Sequence, residues 1–386
     1  MSETINPVSM FNPTRHFNEK KSVYMEKLNK VFEHGYFING PEIKQIENNL
    51  AEYTDTNHAI AVSSGTDALL IALMAVGVTN IDEVVTIPFT WISTVEVIKL
   101  LGAKPVFCDI NRDTFNMDPQ SLKNVITKKT KVVIPVSIFG QIYDIKGVND
   151  IVQEAELTYG TKIYIIEDAA QSFGSTDDKG KKSCSFGDIG CTSFFPSKPL
   201  GCFGDGGMCF TNNEELASKM RMIKSHGCFK RYDYKCIGIN GRLDTIQAAI
   251  LLAKFPDFEN SLCKRIINAE VYSLAFSDLP VKTPEKVKYC GRHVYAQYTL
   301  QLKDEKTCTN LLSYLKEKKI GCGRFYPVCL HLVDVITTEY VKGSFPVSED
   351  LSSRVLSIPV YSDLEEGERN NIIHYIQEFF KLLGAS

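Results

Sequence analysis

The chain lacks the marks of several large protein classes. Its 386 residues contain one tryptophan, Trp91, and its twelve cysteines form no CxxC pair. A disulfide framework suits a short secreted chain, so free thiols in a reducing compartment are the expectation. The segment Met1–Pro7 is polar, without the basic start and apolar run of an exported protein. The most apolar window, Ala59–Val78, is interrupted by Ser63-Ser64-Gly65-Thr66-Asp67, too early for a membrane span. Charge of one sign is also missing: Lys plus Arg number 43 against 46 Asp plus Glu, a formal net charge of −3. No large cationic field is therefore available for a nucleic-acid backbone. The sequence has no GxGxxG, no GxSxG and no HExxH, and Gly174–Ser183 only resembles a phosphate loop, with the wrong spacing and a second lysine where Ser or Thr belongs. These absences predict a cytoplasmic globular protein with no membrane span, no nucleic-acid partner and no metal.

What is present is ordinary in amount, 44% hydrophobic and 23% charged, and informative in arrangement. Short apolar runs rich in β-branched residues occur at Ala59–Val62, Val84–Ile87, Pro105–Cys108, Val132–Val136, Ile163–Ile166, Gly190–Phe194 and Met208–Thr211. Helical patterns such as Asp67–Val76, Ile92–Leu101 and Pro119–Ile126 lie between them. That alternation predicts βαβ units and an α/β fold with a mainly parallel sheet flanked by helices. Beyond about Ala253 it fades into helices (Asn310–Lys318, Glu366–Leu383) and a strand at Ala296–Leu302, read as a smaller C-terminal α+β domain. The expected division is an N-terminal arm and first helix over 1–35, a large domain over 36–253, and a small domain over 254–386.

Ligands of open parallel sheets bind at the carboxyl ends of the strands. Four segments there carry chemistry. Ser63–Asp67 ends a strand with a glycine turn and starts a helix, which suits a phosphate but equally a plain helix cap. In Ile163–Gln171 an apolar strand runs into Glu167-Asp168; a carboxylate there could hold a protonated ring nitrogen or a metal, act as a base, or cap a helix. In Thr192-Ser193-Phe194-Phe195-Pro196-Ser197-Lys198-Pro199-Leu200-Gly201 a lysine lies among Phe194, Phe195, Leu200 and Phe203. Poor solvation there would lower its pKa and free the amine as a nucleophile, whereas most lysines are solvated surface groups. Trp91 could stack on a flat ring or fill a core, and Asn240-Gly241-Arg242 forms a turn that could reach a phosphate or lie exposed. Glycine turn, aromatic residue, strand-end aspartate and, thirty residues later, an apolar-loop lysine together compose a pyridoxal 5′-phosphate site.

The sequence at this point resembles the DegT/DnrJ/StrS family of sugar-nucleotide aminotransferases, fold type I pyridoxal phosphate enzymes. The likeness runs from Gly35-Tyr36-Phe37-Ile38-Asn39-Gly40-Pro41 through Glu167-Asp168-Ala169-Ala170-Gln171 and Ser193–Gly207 to Asn240–Asp244 and the C-terminal region. By this resemblance Lys198 would carry the cofactor and Asp168 would pair with its ring nitrogen. Trp91 would stack on the ring, Gln171 would lie on its hydroxyl side, and Gly65, Thr66 and Ser193 would hold the phosphate. Asn240 would reach a neighbouring subunit's site, implying a homodimer with shared active sites, and Arg242 matches a family arginine in that region. Tyr326 and His331 fall in a segment that lines the sugar-nucleotide site in relatives.

The activity implied is transfer of an amino group from L-glutamate to a keto group of a UDP- or dTDP-linked hexose. The acceptor carbon is either C4 of a 4-keto-6-deoxyhexose or C3 of a 3-keto sugar. A dehydratase branch of the family replaces the lysine by histidine, and this chain keeps Lys198. The competing reading is a non-catalytic pyridoxal phosphate-binding regulator on the same fold, which half-transamination with glutamate would separate from the enzyme.

Overall fold

Alternate residues of the predicted strands belong to two different cores, as strands buried on both faces require. In the computed structural model, which describes residues 7–384 apart from residue 231, Val84, Val132 and Ile166 pack with the helix Gly65–Ala75. Their neighbours Val85, Val133 and Ile165 face the opposite side, against Phe89, Phe139 and Val148. Residues 1–6 of the expected N-terminal arm lie outside the described residues.

The strands in chain order begin with β1 (His58–Val62), β2 (Glu83–Thr86), β3 (Lys104–Phe107), β4 (Thr130–Val133) and β5 (Tyr164–Asp168). They continue with β6 (Thr176–Asp177), β7 (Ile189–Ser193) and β8 (Gly207–Thr211). All but β6 form one sheet of order β1-β8-β7-β5-β4-β2-β3. The pairings β2–β3, β2–β4, β4–β5 and β5–β7 are parallel, and β8 runs antiparallel between β7 and β1. The carboxyl ends of β1, β5 and β7 therefore emerge on one edge, carrying Ser63, Asp168 and Ser193.

Predicted and observed bounds differ where hydrogen bonding decides. The run Val132–Val136 extends past β4: beyond Val133 the Ile134 N–H still bonds the Val85 carbonyl of β2 (2.8 Å), and Val136 makes an isolated parallel bridge to Asp168 of β5. The helix predicted at Asn310–Lys318 spans Glu305–Glu317, because Asp304 caps it by accepting from the Thr307 N–H (2.8 Å). A single first helix is expected; two occur, Pro13–Glu19 and Lys21–His34.

Five short strands have no counterpart in the sequence pattern, the fifth at Val355–Ile358: β9 (Cys228–Lys230) pairs with β10 (Asp233–Tyr234), and β11 (Cys290–Arg292) pairs back to β6. Further on, β12 (Tyr298–Gln301) pairs with β13 (Val355–Ile358) and packs Leu300 and Ile358 with Leu311, Leu315, Ile372 and Ile376. The N-terminal segment joins this unit: Val8 bridges Ile320, and Arg15 donates to Glu368 Oε2 at 2.7 Å.

A buried charge cluster ties the helix Pro41–Thr54 to β1. Glu47 is 4% exposed and accepts from the Ala61 N–H (2.9 Å), Arg221 Nη1 (3.0 Å) and Lys224 Nζ (3.3 Å). Removing one partner leaves a buried charge uncompensated, which costs about 3–5 kcal/mol. Glu47→Ala is therefore expected to lower the melting temperature by several degrees, measurable by thermal denaturation followed by circular dichroism. An unchanged melting curve would show that Lys224 finds water or another acceptor.

Candidate active site

The helix Gly65–Ala75 begins where β1 ends. Ser64 caps it, taking the Asp67 N–H on its hydroxyl (3.0 Å) and the Ala68 N–H on its carbonyl (3.0 Å). This satisfies two first-turn donors and leaves those of Gly65 and Thr66, at the positive end of the helix, for an anion. The cap and the phosphate cradle are thus the same structure. Glycine is required at 65 because a Cβ there would lie 2.7 Å from Ser193 Cβ. Ser193 accepts the Phe195 N–H (3.2 Å), and Thr66 shares a 2.7 Å hydrogen bond with Ser93, which opens the helix Ser93–Leu100.

Asp168 ends β5 and is buried. Its Oδ2 accepts from Thr94 Oγ1 (2.8 Å) and its Oδ1 from the Ala170 N–H (3.2 Å). Burial raises its pKa, opposed by the Thr94 and Ala170 hydrogen bonds and by the nearby Lys198 charge. Thr94 was not singled out from the sequence; its only signal is its place three residues after Trp91, at the carboxyl edge of the sheet.

Lys198 rests in a loop held by the hydrogen bonds Lys198 N–H to the Phe195 carbonyl (2.9 Å) and Cys202 N–H to the Phe194 carbonyl (2.7 Å). Burial lowers its pKa, with Asp168 opposing the shift. The apolar setting expected from the sequence is present in part. Phe194 and Leu200 are buried, but Phe195 is 51% exposed, because only Phe194 turns inward to pack with Phe173. A second cation, Lys254, donates to the Gly201 carbonyl of this loop at 2.6 Å and lies 4.4 Å from the Phe203 ring centroid.

Gln171 connects the two halves of the cleft. Its Oε1 accepts the Phe139 N–H (2.7 Å) and its Nε2 donates to Tyr326 Oη (3.0 Å). Tyr326 in turn lies 6.2 Å, centroid to centroid, from Trp91, whose ring is 60% exposed rather than consumed by a core. Gly65, Thr66, Trp91, Asp168, Gln171, Ser193, Lys198 and Tyr326 thus converge at the strand ends.

Three other candidates do not join them. His331 has no exposed side-chain surface; its Nε2 is 3.0 Å from Glu349 Oε1, and its ring packs on Phe345 and Phe107. In this structure a short 3₁₀ turn at Leu330–Leu332 directs its ring into an apolar cluster. Asn240 and Arg242 follow a different face. Arg242 bridges Val62 and lines an open basin of about 930 Å3 together with Asn39, Arg221, Phe229 and Tyr234. Its Nε is buried without a partner among the described residues.

An anion cradle that excludes a Cβ, a buried carboxylate, a desolvated amine and an exposed indole face fit the phosphate, ring nitrogen, aldehyde and ring face of pyridoxal 5′-phosphate. Residues 18–377 match the sequence model of the DegT/DnrJ/EryC1/StrS aminotransferase family. The chain belongs to that family. Among its relatives in the DegT/DnrJ/EryC1/StrS group, it is 42% identical over 338 residues to a Pseudomonas aeruginosa UDP-2-acetamido-2-deoxy-3-oxo-D-glucuronate aminotransferase, covering 88% of this chain and 90% of the relative. It is 38% identical to a Geobacillus stearothermophilus protein named pleiotropic regulatory protein, over 97% and 99% of the two chains. The solved structure of NtdA from Bacillus subtilis, with bound cofactor PMP, superposes with a TM-score of 0.89 at 26% identity, over 98% of this chain and 86% of that one.

Among the described residues no group of three or more His, Cys, Asp or Glu could hold a metal ion, and no helix is long and apolar enough to cross a membrane.

Proposed function

We propose that this chain uses pyridoxal 5′-phosphate to move the amino group of L-glutamate to a keto group of a UDP- or dTDP-linked hexose, making an amino sugar. The observation that carries the reading is the convergence of a desolvated Lys198 and the buried Asp168 beneath the free N–H groups of Gly65 and Thr66. When bound, the cofactor supplies an electron sink for the pair released from a C–H bond of the amino donor.

The protein's own groups do the rest. Lys198 would hold the cofactor and would be the amine that moves the donor's proton; its lowered pKa favours the neutral form for that work. Asp168 keeps the ring nitrogen protonated, and Thr94 fixes the carboxylate for it. Gly65, Thr66 and Ser193 hold the phosphate, Trp91 covers one ring face, and Gln171 stands by the ring hydroxyl. Tyr326 borders the sugar side. C3 is favoured as the acceptor carbon, because the Pseudomonas relative is named for a 3-oxo sugar.

Asn240 and Arg242 are assigned to a neighbouring subunit's site in a homodimer. An exposed aromatic surface supports that: Phe229 and Tyr234, which line the basin with Arg242, are each more than half exposed. We assign the arm and first helices to 1–35, the cofactor-binding domain to 36–253 and the small domain to 254–386, in a cytoplasmic enzyme. A pyridoxal phosphate-binding regulator would use Lys198 to hold the cofactor but would not undergo half-transamination with L-glutamate.

The test is the visible spectrum of the purified protein before and after L-glutamate. A yellow protein that bleaches, followed by amine transfer to a UDP-linked 3-keto hexose, is the expected result. A colourless protein that ignores added pyridoxal phosphate would overturn the cofactor and every role attached to it.

A further inference from the structure

The helix Phe258–Ala275 buries a stripe at helical spacing: Phe258, Leu262, Arg265, Ala269 and Tyr272. One member of that stripe is an arginine. Arg265 is 4% exposed, and its one protein hydrogen bond among the described residues is a long contact from Nη1 to the Tyr295 carbonyl (3.5 Å). It makes no ion pair among the described residues; the charge it senses most is Asp363, with which it forms none. The neighbouring Asn268 shows what satisfaction looks like here, donating to the Tyr361 carbonyl (3.1 Å) and accepting from Arg369 (3.0 Å).

Buried guanidinium groups are paired, because an isolated charge in an apolar setting is costly. Burial in this case pulls the Arg265 pKa down to about 10, so the missing counter-charge is felt. The guanidinium faces two adjoining cavities, of about 130 Å3 and about 40 Å3, and Lys198 lines both of them. Gln171 and Gln297 line the larger one, and Gln297 Oε1 is buried without a partner among the described residues. A planar, five-donor cation without a counter-charge, next to the reactive amine, is a receptor for a carboxylate. Size chooses among carboxylates. Pockets for whole drug-sized ligands run to roughly 300–1,000 Å3, so this enclosed space suits a short acid chain rather than a nucleotide-linked sugar.

We propose that Arg265 binds a carboxylate of the amino-acid donor. The inference rests on the aminotransferase reading above and adds to it the group that selects the donor.

Two measurements on the cofactor-loaded protein test it. The first is calorimetric titration with glutarate, a dicarboxylate that has no amine and cannot react. The second is the concentration dependence of bleaching by L-glutamate, with L-glutamine as comparison. Charge-assisted hydrogen bonds predict that R265Q weakens glutarate binding and raises the half-saturating L-glutamate concentration about 10- to 100-fold. The absorption band of the bound cofactor should stay in place. R265K, which keeps the charge and loses the fork, should lie between. If the side-chain carboxylate is the one held, L-glutamine is unaffected by R265Q; if the α-carboxylate is held, both donors weaken together.

Glutarate binding and L-glutamate half-saturation within about twofold of the unsubstituted protein would overturn the proposal. So would a loss confined to transfer onto the keto sugar. Should R265Q fail to fold, R265K alone decides by the same titration. Failure of the unsubstituted protein to bleach with any donor would instead sink the parent reading, so the two failures are distinguishable.

Discussion

Replacing Lys198 by alanine is expected to lower amino transfer by at least ~10³-fold and to abolish the visible band of the bound cofactor. Two functions reside in one amine, attachment and proton transfer, and the structure offers no substitute for it. The other lysine near the loop, Lys254, is engaged with the Gly201 carbonyl (2.6 Å) and the Phe203 ring. The substitution should leave folding intact, since the loop is held by backbone bonds from Phe194, Phe195 and Cys202 and not by the lysine side chain. Absorbance, turnover and a thermal melt on the same preparation check this. A variant that keeps a tenth of the activity would mean that another amine does the work.

Asp168→Asn should be the next most damaging change, lowering turnover by roughly 10²–10³-fold while the cofactor still binds. The asparagine retains the shape; its single oxygen can still accept the Ala170 N–H, while its amide nitrogen donates to the Thr94 hydroxyl, which turns to accept. What it loses is the negative charge beside a ring nitrogen in a buried site, and breaking such a pair costs about 3–5 kcal/mol. Burial alone pushes the Asp168 pKa upward. The cationic ring opposes that shift, so the carboxylate stays ionised when the cofactor is in place. Equal turnover of the two forms, measured at saturating donor, would show that ring protonation is not needed.

Adjacency in the chain is a poor guide to these roles. Glu167 precedes Asp168 and is equally buried, yet it faces the other side of the sheet. Its carboxylate accepts from Ser183 Oγ (2.7 Å) and the Cys184 N–H (2.9 Å), and burial moves its pKa up to about 7. The period-two alternation of a strand divides the pair: one carboxylate enters the cleft and its neighbour pins a loop. Thr94 escaped notice for the related reason that a threonine in a first helical turn is unremarkable until the fold brings Asp168 to it.

Much of the architecture was readable from local pattern. Seven apolar runs and the helices between them specify a parallel sheet because burial on both faces demands continuous β-branched residues, a one-dimensional property. The loop around Lys198 and the strand-end Asp168 were readable because their chemistry needs a stated residue type beside a stated element. The partners that complete the site come from distant segments. Phe139 holds Gln171, Tyr326 meets both Gln171 and Trp91, and Arg265 reaches the Lys198 cavity from a helix whose pattern alone marks it as core. His331 went the other way, into an apolar cluster with Phe107 and Phe345. The sequence by itself determined the main strands and helices of the large domain and the polar residues at the strand ends, since periodicity and capping are local. Only the tertiary structure decided which side chains face the cleft, because that depends on packing between segments far apart in the chain, as Thr94 with Asp168 and Gln171 with Tyr326 show.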